Sequence, residues 1–339
     1  MKPERRIIAA PLTLEVIRDT AQLAQLRDEW SKFVHSLEDI TPFQTPEWQL
    51  TWWSHFGSGD LYVMVFRSVD AIVGIVPCFL HEWEGRRQMT LIGSGISDYL
   101  EPPISVRHRG DVLTLLRSHL NANSKWDICA WQDLSANTPL AGLNLGEKFE
   151  AKLFQDMECT ELPIKGDFEE FWNTRPHGLR RNVRRYSDKA NTIDQPRFSV
   201  VAQADPEYLN ALIRLHGERW QRRGEIGMVA ANGAAAFLWD LAREVDNADM
   251  LRIFTLRYQG KVVAVILAFV LRNTIYSYLS AFDPEYENLG FGRSLLFESL
   301  RHAFQQGYRS WNFLRGNEPF KFLWGAQSIP KSRLIVTRK

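Results

Sequence analysis

The chain has 339 residues, enough for about two domains of ordinary size. Hydrophobic residues make up 45% and charged residues 24%, and this composition excludes a disordered, collagen-like or coiled-coil chain. The formal net charge of +1 gives no broad basic field that would attract DNA or a membrane surface.

Cysteine usage and hydropathy set further expectations. Cys78, Cys129 and Cys159 are too widely spaced for a disulfide framework or a zinc site, so a reduced, cytoplasmic protein without a metal is expected. Residues 1–10 are charged and do not resemble a signal peptide. The longest apolar runs have ten residues each, about half of a ~20-residue membrane span, so no transmembrane segment is expected.

The first half of the chain alternates between helical and extended patterns. Apolar residues at helical spacing predict a helix over residues 21–37, and a second follows over 46–56. The segments that follow are predicted as three strands, a helix and a strand: 62–67, 71–80, 88–93, 112–120 and 126–131.

The second half repeats this order. Asp205 and Pro206 predict the start of a helix whose apolar face carries Leu209, Leu212, Ile213, His216 and Trp220. The later elements are predicted as three strands, a helix and a strand: 252–257, 261–271, 274–281, 293–306 and 310–314.

The two predicted hairpins have closely similar sequences. Aligning them pairs Arg67 with Arg257 and Gly74 with Ala264, an offset of one domain length that indicates internal duplication. Each half therefore predicts an α/β (α+β) domain, a mixed sheet flanked by helices. The boundaries are placed at residues 12–155 and 160–332, with the join inside 150–172.

A glycine-containing segment follows the third strand of the second half. Leu289, Gly290, Phe291, Gly292 and Arg293 lead into the helix, where exposed N–H groups and the helix dipole favour an anion such as a pyrophosphate. The segment is neither a Walker loop nor a three-glycine dinucleotide fingerprint. Read alone, it fits an ordinary turn equally well.

Three more segments carry chemistry-bearing residues. Arg180, Arg181, Arg184 and Arg185 lie on one helical face, which is either a solvated surface or a docking site for an anionic ligand, carrier protein or tRNA. His216 is either a core histidine or a general base. The segment 311–321 ends a strand in a polar turn, a frequent place for ligands in such sheets.

The second-half motifs resemble a known superfamily. The hairpin, the Gly290/Gly292 loop and its helix resemble the GNAT acyltransferases. Three motifs resemble the double-domain branch of cellulose-biosynthesis-associated acetyltransferases, relatives of the Fem-type aminoacyltransferases; they begin at Leu215, Phe282 and Phe313. Ser97-Asp98-Tyr99 fits the same branch. The resemblance covers about residues 12–330 and implies tandem GNAT-like domains.

The resemblance implies roles for individual residues. Acyl-CoA, such as acetyl-CoA, would be the donor, held by residues 289–293. A small-molecule, glycan or lipid amine would be the acceptor. The implied catalytic residues are His216, Asp283 and Tyr278, with Tyr276 as an alternative acid for the leaving thiolate. The residues implied to gather around the acceptor are Asp98, Tyr99, Arg219, Arg315, Glu318 and Lys321.

The sequence departs from the superfamily pattern at two places. Glu287 stands where the donor loop usually has Gln or Arg. The first half has Pro102-Pro103-Ile104 where a second donor loop would lie. One donor site, in the second half, is therefore expected.

Three hypotheses remain open. The protein is an N-acyltransferase using acyl-CoA, a transferase using acyl-carrier protein or aminoacyl-tRNA, or a non-catalytic module of a polysaccharide system. The sequence does not identify the acceptor, the acyl length or the oligomer.

Overall fold

A computed structural model describes residues 12–143, 145–222, 224–225, 227 and 233–339. The chain divides into two compact units. The first comprises Met1–Asp156 and Lys331–Lys339, and the second comprises Met157–Pro330. No helix in these described stretches is long and apolar enough to cross a membrane.

The first unit is a mixed sheet with helices packed against it. Its elements are β1 (Leu12–Ile17), α1 (Thr20–Gln25), α2 (Arg27–Ser36), α3 (Pro46–Phe56), β2 (Asp60–Ser68), β3 (Ala71–Trp83), β4 (Arg86–Leu91), α4 (Arg109–Ala122) and β5 (Ile128–Ser135). The helix predicted over 21–37 is interrupted at Leu26, whose N–H is shared between the carbonyl oxygens of Gln22 and Leu23.

The second unit has the same construction. Its elements are α5 (Phe168–Asn173), α6 (His177–Asn191), β7 (Arg197–Val201), α7 (Pro206–Arg222), α8 (Ala234–Asn247), β8 (Leu251–Tyr258), β9 (Lys261–Leu271), β10 (Thr274–Phe282), α9 (Phe291–Gln305), β11 (Ser310–Arg315) and α10 (Pro319–Leu323). Two more strands, β6 (Phe149–Pro163) and β12 (Gln327–Arg338), each contribute residues to both units.

Strand order is the same in the two units. The first runs β1-β2-β3-β4-β5-β12 and the second runs β7-β8-β9-β10-β11-β6. In each, the fourth and fifth strands pair in parallel through three residue pairs, and the other neighbouring strands of the described residues pair antiparallel. The predicted α/β class and the predicted common strand order are confirmed.

The repeat extends to register and side-chain contacts. Both hairpins shift register at the aligned arginine, after Phe66–Gly74 in the first and Leu256–Ala264 in the second. Arg67 forms an ion pair with Glu29 on α2 and donates to the Asp70 carbonyl. Arg257 forms an ion pair with Glu207 on α7 and donates to the Gly260 carbonyl. The duplication therefore preserves an ion pair that ties each hairpin turn to a helix.

Each unit has its own core. In the second unit, α5, α6 and α9 cover one face of the sheet, where Ile275, Trp311 and Leu162 lie among their apolar residues. The helix α7 packs against β9 and β10, and α8 packs against β8. Their buried leucines do not belong to that cluster, which places α7 and α8 on the opposite face.

The repeated ion pair yields a stability prediction. Glu29→Gln and Glu207→Gln should each lower the free energy of unfolding by about 1 kcal/mol or less, since both pairs are partly exposed. Urea unfolding measures both losses, with the exposed Glu38→Gln as control. A loss above about 2 kcal/mol from one variant alone would show that the two pairs are not equivalent.

Candidate active site

The strands β10 and β11 separate in the middle of the second sheet. They pair at Thr274–Ser310, Ile275–Trp311 and Tyr276–Asn312, and the ladder stops there. Beyond this point β10 continues beside β9 to Phe282, while β11 continues beside β6 to Arg315. A groove therefore opens between the two strands, bounded by residues 277–282 and 313–315.

A bulge lies where the groove opens. The register of β10 against β9 shifts between Ser277 and Leu279, so Tyr278 is the extra residue. The backbone of a bulge residue is released from regular ladder pairing. The Tyr278 ring packs against Phe269, with 5.4 Å between ring centroids. The predicted catalytic residue Tyr278 therefore lines the separated part of β10.

A row of polar side chains crosses the sheet at the same point. Tyr276, Asn312 and Glu161 are in register across β10, β11 and β6. Their neighbours Ile275, Trp311 and Leu162 face α9, so this row faces the side covered by α7. The Asn312 amide donates to the Glu161 carboxylate at 3.3 Å. Burial and the nearby Glu161 carboxylate raise the pKa of Tyr276, which keeps its phenol protonated.

Sequence reasoning missed Asn312 and Glu161. Asn312 is a polar residue between Trp311 and Phe313 in a buried strand. A single polar residue among apolar ones can be detected in the sequence and indicates a candidate site residue. Glu161 comes from β6, whose pairing with β11 had no local signal in the sequence.

The first turn of α9 closes one end of the groove. Gly290 caps the helix with a left-handed φ of +62°, and its carbonyl accepts from the N–H groups of Arg293 and Ser294. The N–H groups of Phe291 and Gly292 precede the first intrahelical bonds and have no partner inside the helix. These donors, with the helix dipole and the Arg293 guanidinium, form an arrangement suited to an anion.

Both glycines of this turn lie against aromatic rings. A Cβ atom at Gly290 would be 2.7 Å from the ring of Tyr186 on α6. A Cβ atom at Gly292 would be 2.8 Å from Cδ1 of Phe282 at the end of β10. Close packing therefore requires glycine at both positions. Tyr186 was not identified from the sequence.

The basic face of α6 lies beside this turn. Arg293 stands over the Tyr186 ring at 5.4 Å, and Arg185 stands over the same ring at 5.0 Å. Arg181, Arg184 and Arg185 are exposed. Arg180 is partly buried and donates to the Arg175 carbonyl at 3.2 Å, whereas Arg184 lies 3.9 Å from the Asp188 carboxylate on the helix surface.

His216 is held by a neighbour one turn along α7. The indole N–H of Trp220 donates to Nε2 of His216 at 2.9 Å. Burial, with a smaller contribution from Arg219, lowers the pKa of His216 to about 4. The nitrogen that would accept a proton is therefore occupied, which argues against His216 as the general base.

Arg219 and Asp283 lie at the end of β10. The Arg219 guanidinium stands over the Phe282 ring at 4.7 Å, so Phe282 contacts both Arg219 and the Gly292 turn. Asp283 is buried and accepts from the N–H of Glu285 at 2.9 Å, capping the short 3-10 helix that leads to Gly290. Asp283 also lines an open cleft of about 500 Å³ beside α7.

Three predicted acceptor residues form a second cluster at the end of β11. The residue Lys321 is 4% exposed. Its ammonium donates to the carbonyl oxygens of Arg315 at 2.7 Å and Gly316 at 3.0 Å. The Glu318 carboxylate lies 2.9 Å from it. Lys321 therefore holds the turn that carries Arg315 and Glu318, and its ammonium is already occupied by four oxygens, including a longer contact to Leu314.

Asp98 and Tyr99 belong to the first unit. Asp98 is buried, and the buried Lys331 ammonium stands over the Tyr99 ring at 4.0 Å. Glu101 accepts from the Ser135 N–H at 2.9 Å, and burial raises its pKa. The part that Asp98 and Tyr99 play toward an acceptor stays a prediction.

In the described part of the first unit, the space between the fourth and fifth strands is occupied by the chain itself. The segment after β4 crosses to β5, where the Leu100 N–H donates to the Asp133 carbonyl at 3.0 Å. The helix α4 begins after His108 and not after a glycine. Nor do the described residues of either unit contain a cluster of three His, Cys, Asp or Glu side chains that would hold a metal.

A comparison with known proteins matches the part of the chain that contains the groove to one protein family. Residues 177–322 match the family profile described as "Acetyltransferase (GNAT) domain". The chain contains a GNAT acetyltransferase domain. Residues 177–322 therefore form an acyltransferase domain of the GNAT type, and the groove and the α9 turn lie inside this matched segment.

Solved structures share the fold of the whole chain. FemX matches at a TM-score of 0.65 and 12% identity, over 94% of this chain and 96% of its own. A conserved protein of unknown function from Bacteroides thetaiotaomicron matches at 0.61 and 13%, over 96% and 100%. L-PGS from Bacillus licheniformis matches at 0.53 and 14%, over 89% and 94%. These identities establish a shared fold alone. No curated protein sequence matches the chain.

The contact at Gly292 predicts a stability effect. Gly292→Ala should lower the free energy of unfolding by about 1–3 kcal/mol, because the methyl group meets the Phe282 ring. In a Phe282→Leu background the same substitution should cost much less. Thermal and urea unfolding of the four proteins measures the coupling. Gly110→Ala, on α4 with open space around it, is the control.

The pKa of His216 predicts a pH effect. Between pH 6.5 and about 4 the unfolded chain binds a proton on this ring and the folded protein does not. Stability should therefore fall as pH falls through this window, by at most about 3 kcal/mol from His216. His216→Gln should show a smaller loss between pH 7 and pH 4.5 in urea unfolding. An equal loss in both proteins would contradict the lowered pKa.

Proposed function

We propose that the protein transfers an acyl group from acyl-CoA to an amine. The observation that carries the proposal is the separation of β10 from β11 beside the uncovered N–H groups of the α9 turn, inside a GNAT domain. The groove accommodates an extended thioester arm, and the turn offers donors to its phosphates. In the first unit, the crossing of residues 92–104 supports a single donor site.

The donor's phosphates are assigned to residues 289–293. The N–H groups of Phe291 and Gly292 would bind one phosphate, and the Arg293 guanidinium would add charge. Glu287, where the superfamily usually has Gln or Arg, contributes its carbonyl to the N–H of Gly290. That backbone bond forms with any side chain at position 287, so Glu287 does not disturb the turn.

The reaction needs three functions at the groove. The ammonium of the acceptor, near pKa ~10 for an alkylamine, loses a proton so that its lone pair attacks the thioester carbonyl. The backbone N–H at the Tyr278 bulge is assigned to the carbonyl oxygen as it becomes negative. The C–S bond then breaks, and the protonated phenol of Tyr276 or Tyr278 supplies the proton for the thiolate.

The proton acceptor is assigned to a carboxylate and not to His216. Asp283, which the family resemblance implies as a catalytic residue, already accepts a capping hydrogen bond from the N–H of Glu285. Glu161 lies in the polar row with Tyr276 and Asn312, at the point where the groove opens. Because Glu161 lies beside Tyr276 and Asn312 where the groove opens, we assign this step to Glu161 acting through a water molecule.

The acceptor is an amino sugar, an amino acid or a lipid amine. Arg315 and Glu318 of the second unit remain acceptor-binding candidates, positioned by Lys321, and Arg219 of the same unit completes the proposed set. A role in polysaccharide or envelope biosynthesis follows from the resemblance to the cellulose-associated branch. A cytoplasmic site of action accords with the three buried free cysteines.

A second donor class is supported by α6. Its exposed arginines lie next to the donor turn through Tyr186 and Arg293. Acyl-carrier protein or aminoacyl-tRNA would present many phosphates or carboxylates to this face. Binding of such a donor would weaken steeply with salt, whereas binding of acetyl-CoA would weaken less.

Calorimetry with acetyl-CoA tests the donor. We expect binding to the wild type and a loss of about tenfold or less for Arg293→Ala, whose contact is partly solvated. Arg243→Ala, an exposed arginine on α8, is the matched control. Thiol release with glucosamine, serine and ethanolamine then tests transfer. No binding of any acyl-CoA would remove the proposal and favour the carrier, tRNA or non-catalytic alternatives.

A further inference from the structure

We propose that His216 is a neutral hydrogen-bond donor, fixed in its Nδ1–H tautomer by Trp220, and that its Nδ1–H binds an oxygen atom of the acceptor substrate. The substrate half of this statement rests on the proposed N-acyl transfer. The tautomer half does not, because it concerns the protein without ligands.

The direction of one hydrogen bond sets the tautomer. An indole nitrogen only donates, so the 2.9 Å contact between Trp220 Nε1 and His216 Nε2 requires a lone pair on Nε2. A neutral imidazole then carries its proton on Nδ1. The lowered pKa of His216 agrees with a neutral ring.

The other ring nitrogen is a donor without an acceptor. Nδ1 of His216 is buried and has no hydrogen-bond partner among the described residues, and the whole residue is 4% exposed. Buried polar groups in folded proteins are nearly always paired, because leaving one unpaired costs free energy. A buried N–H that none of the described residues satisfies is therefore a donor that a ligand oxygen can pair.

The backbone at Gly227 lies close to the rings of both His216 and Trp220. A Cβ atom at Gly227 would lie 2.7 Å from Cε1 of His216 and 2.6 Å from Cγ of Trp220. The backbone at Gly227 thus packs directly on both rings. Arg219, on the same helix, adds positive charge nearby, so the acceptor to which Nδ1–H donates best is a carbonyl or carboxylate oxygen.

Imidazole NMR of the full-length protein tests the tautomer. Long-range 1H–15N correlation at pH 7, without ligand, should show His216 neutral with its proton on Nδ1, assigned by loss of its signals in His216→Gln. Trp220→Phe should release the fixed tautomer and allow Nε2–H to appear. An Nε2–H or imidazolium form in the wild type would overturn the inference.

Two substitutions at one position test the substrate contact. His216→Gln keeps an N–H donor and cannot act as a base at neutral pH, whereas His216→Ala has neither property. With acetyl-CoA and serine or glucosamine, kcat/KM should fall by less than about fivefold in His216→Gln and by more than about tenfold in His216→Ala. Equal losses would overturn the donor role. No turnover in the wild type would overturn the proposed function and the substrate contact, while the NMR result would still decide the tautomer.

Discussion

Beyond Asn312, β11 remains hydrogen-bonded to β6 but no longer to β10, and the candidate site is arranged around the gap that this leaves. The departure requires a strained residue: Leu314 has a φ of +61°, which costs about 1–2 kcal/mol for an L-amino acid. Asn312 accepts the Leu314 N–H at 2.9 Å. Lys321 holds the carbonyl oxygens that follow. A buried amide and a buried ammonium therefore help keep the two strands apart.

The two units have the same strand order but differ in the space between their fourth and fifth strands. Both carry a non-glycine residue in the left-handed region on the fifth strand, Asp133 at φ +57° and Leu314 at φ +61°. They differ after the preceding strand. β4 stops at Leu91, and glycines at positive φ and two prolines turn the chain toward β5. β10 instead continues to Phe282 along β9. With the same strand order, the gap between β4 and β5 is therefore closed by residues 92–104, whereas the gap between β10 and β11 stays open.

Local sequence patterns predicted the elements and their repeat. Strands rich in β-branched residues, joined by Gly- or Asp-containing turns, located both hairpins, and the alignment of Arg67 with Arg257 predicted positions that share a register shift and an ion pair. The i, i+4 spacing of His216 and Trp220 placed them on one helical face, as the hydrogen bond between them requires. Short-range periodicity was sufficient for each of these features.

Features that depend on distant pairing could not be predicted. Nothing in the local sequence indicates that β6 and β12 each contribute residues to both units or that β6 pairs with β11. Glu161 was therefore not recognised as a neighbour of Asn312. The family resemblance implied an acceptor-binding role for Lys321. Its burial becomes visible only when the carbonyl oxygens of 314–316 are placed around it. The local sequence around a single lysine does not distinguish a ligand-binding role from a structural one.

The glycines of the α9 turn show how packing can create a binding feature. Gly290 is needed because of its φ and Tyr186, and Gly292 because of Phe282. Both reasons hold whether or not a ligand binds. The start of α9 packs between two aromatic rings. As at the start of any helix, the N–H groups of Phe291 and Gly292 there have no partner within the helix. A side chain at either glycine would therefore disturb the fold and the donors together, which makes Arg293, whose backbone stays in place, the better probe of phosphate binding.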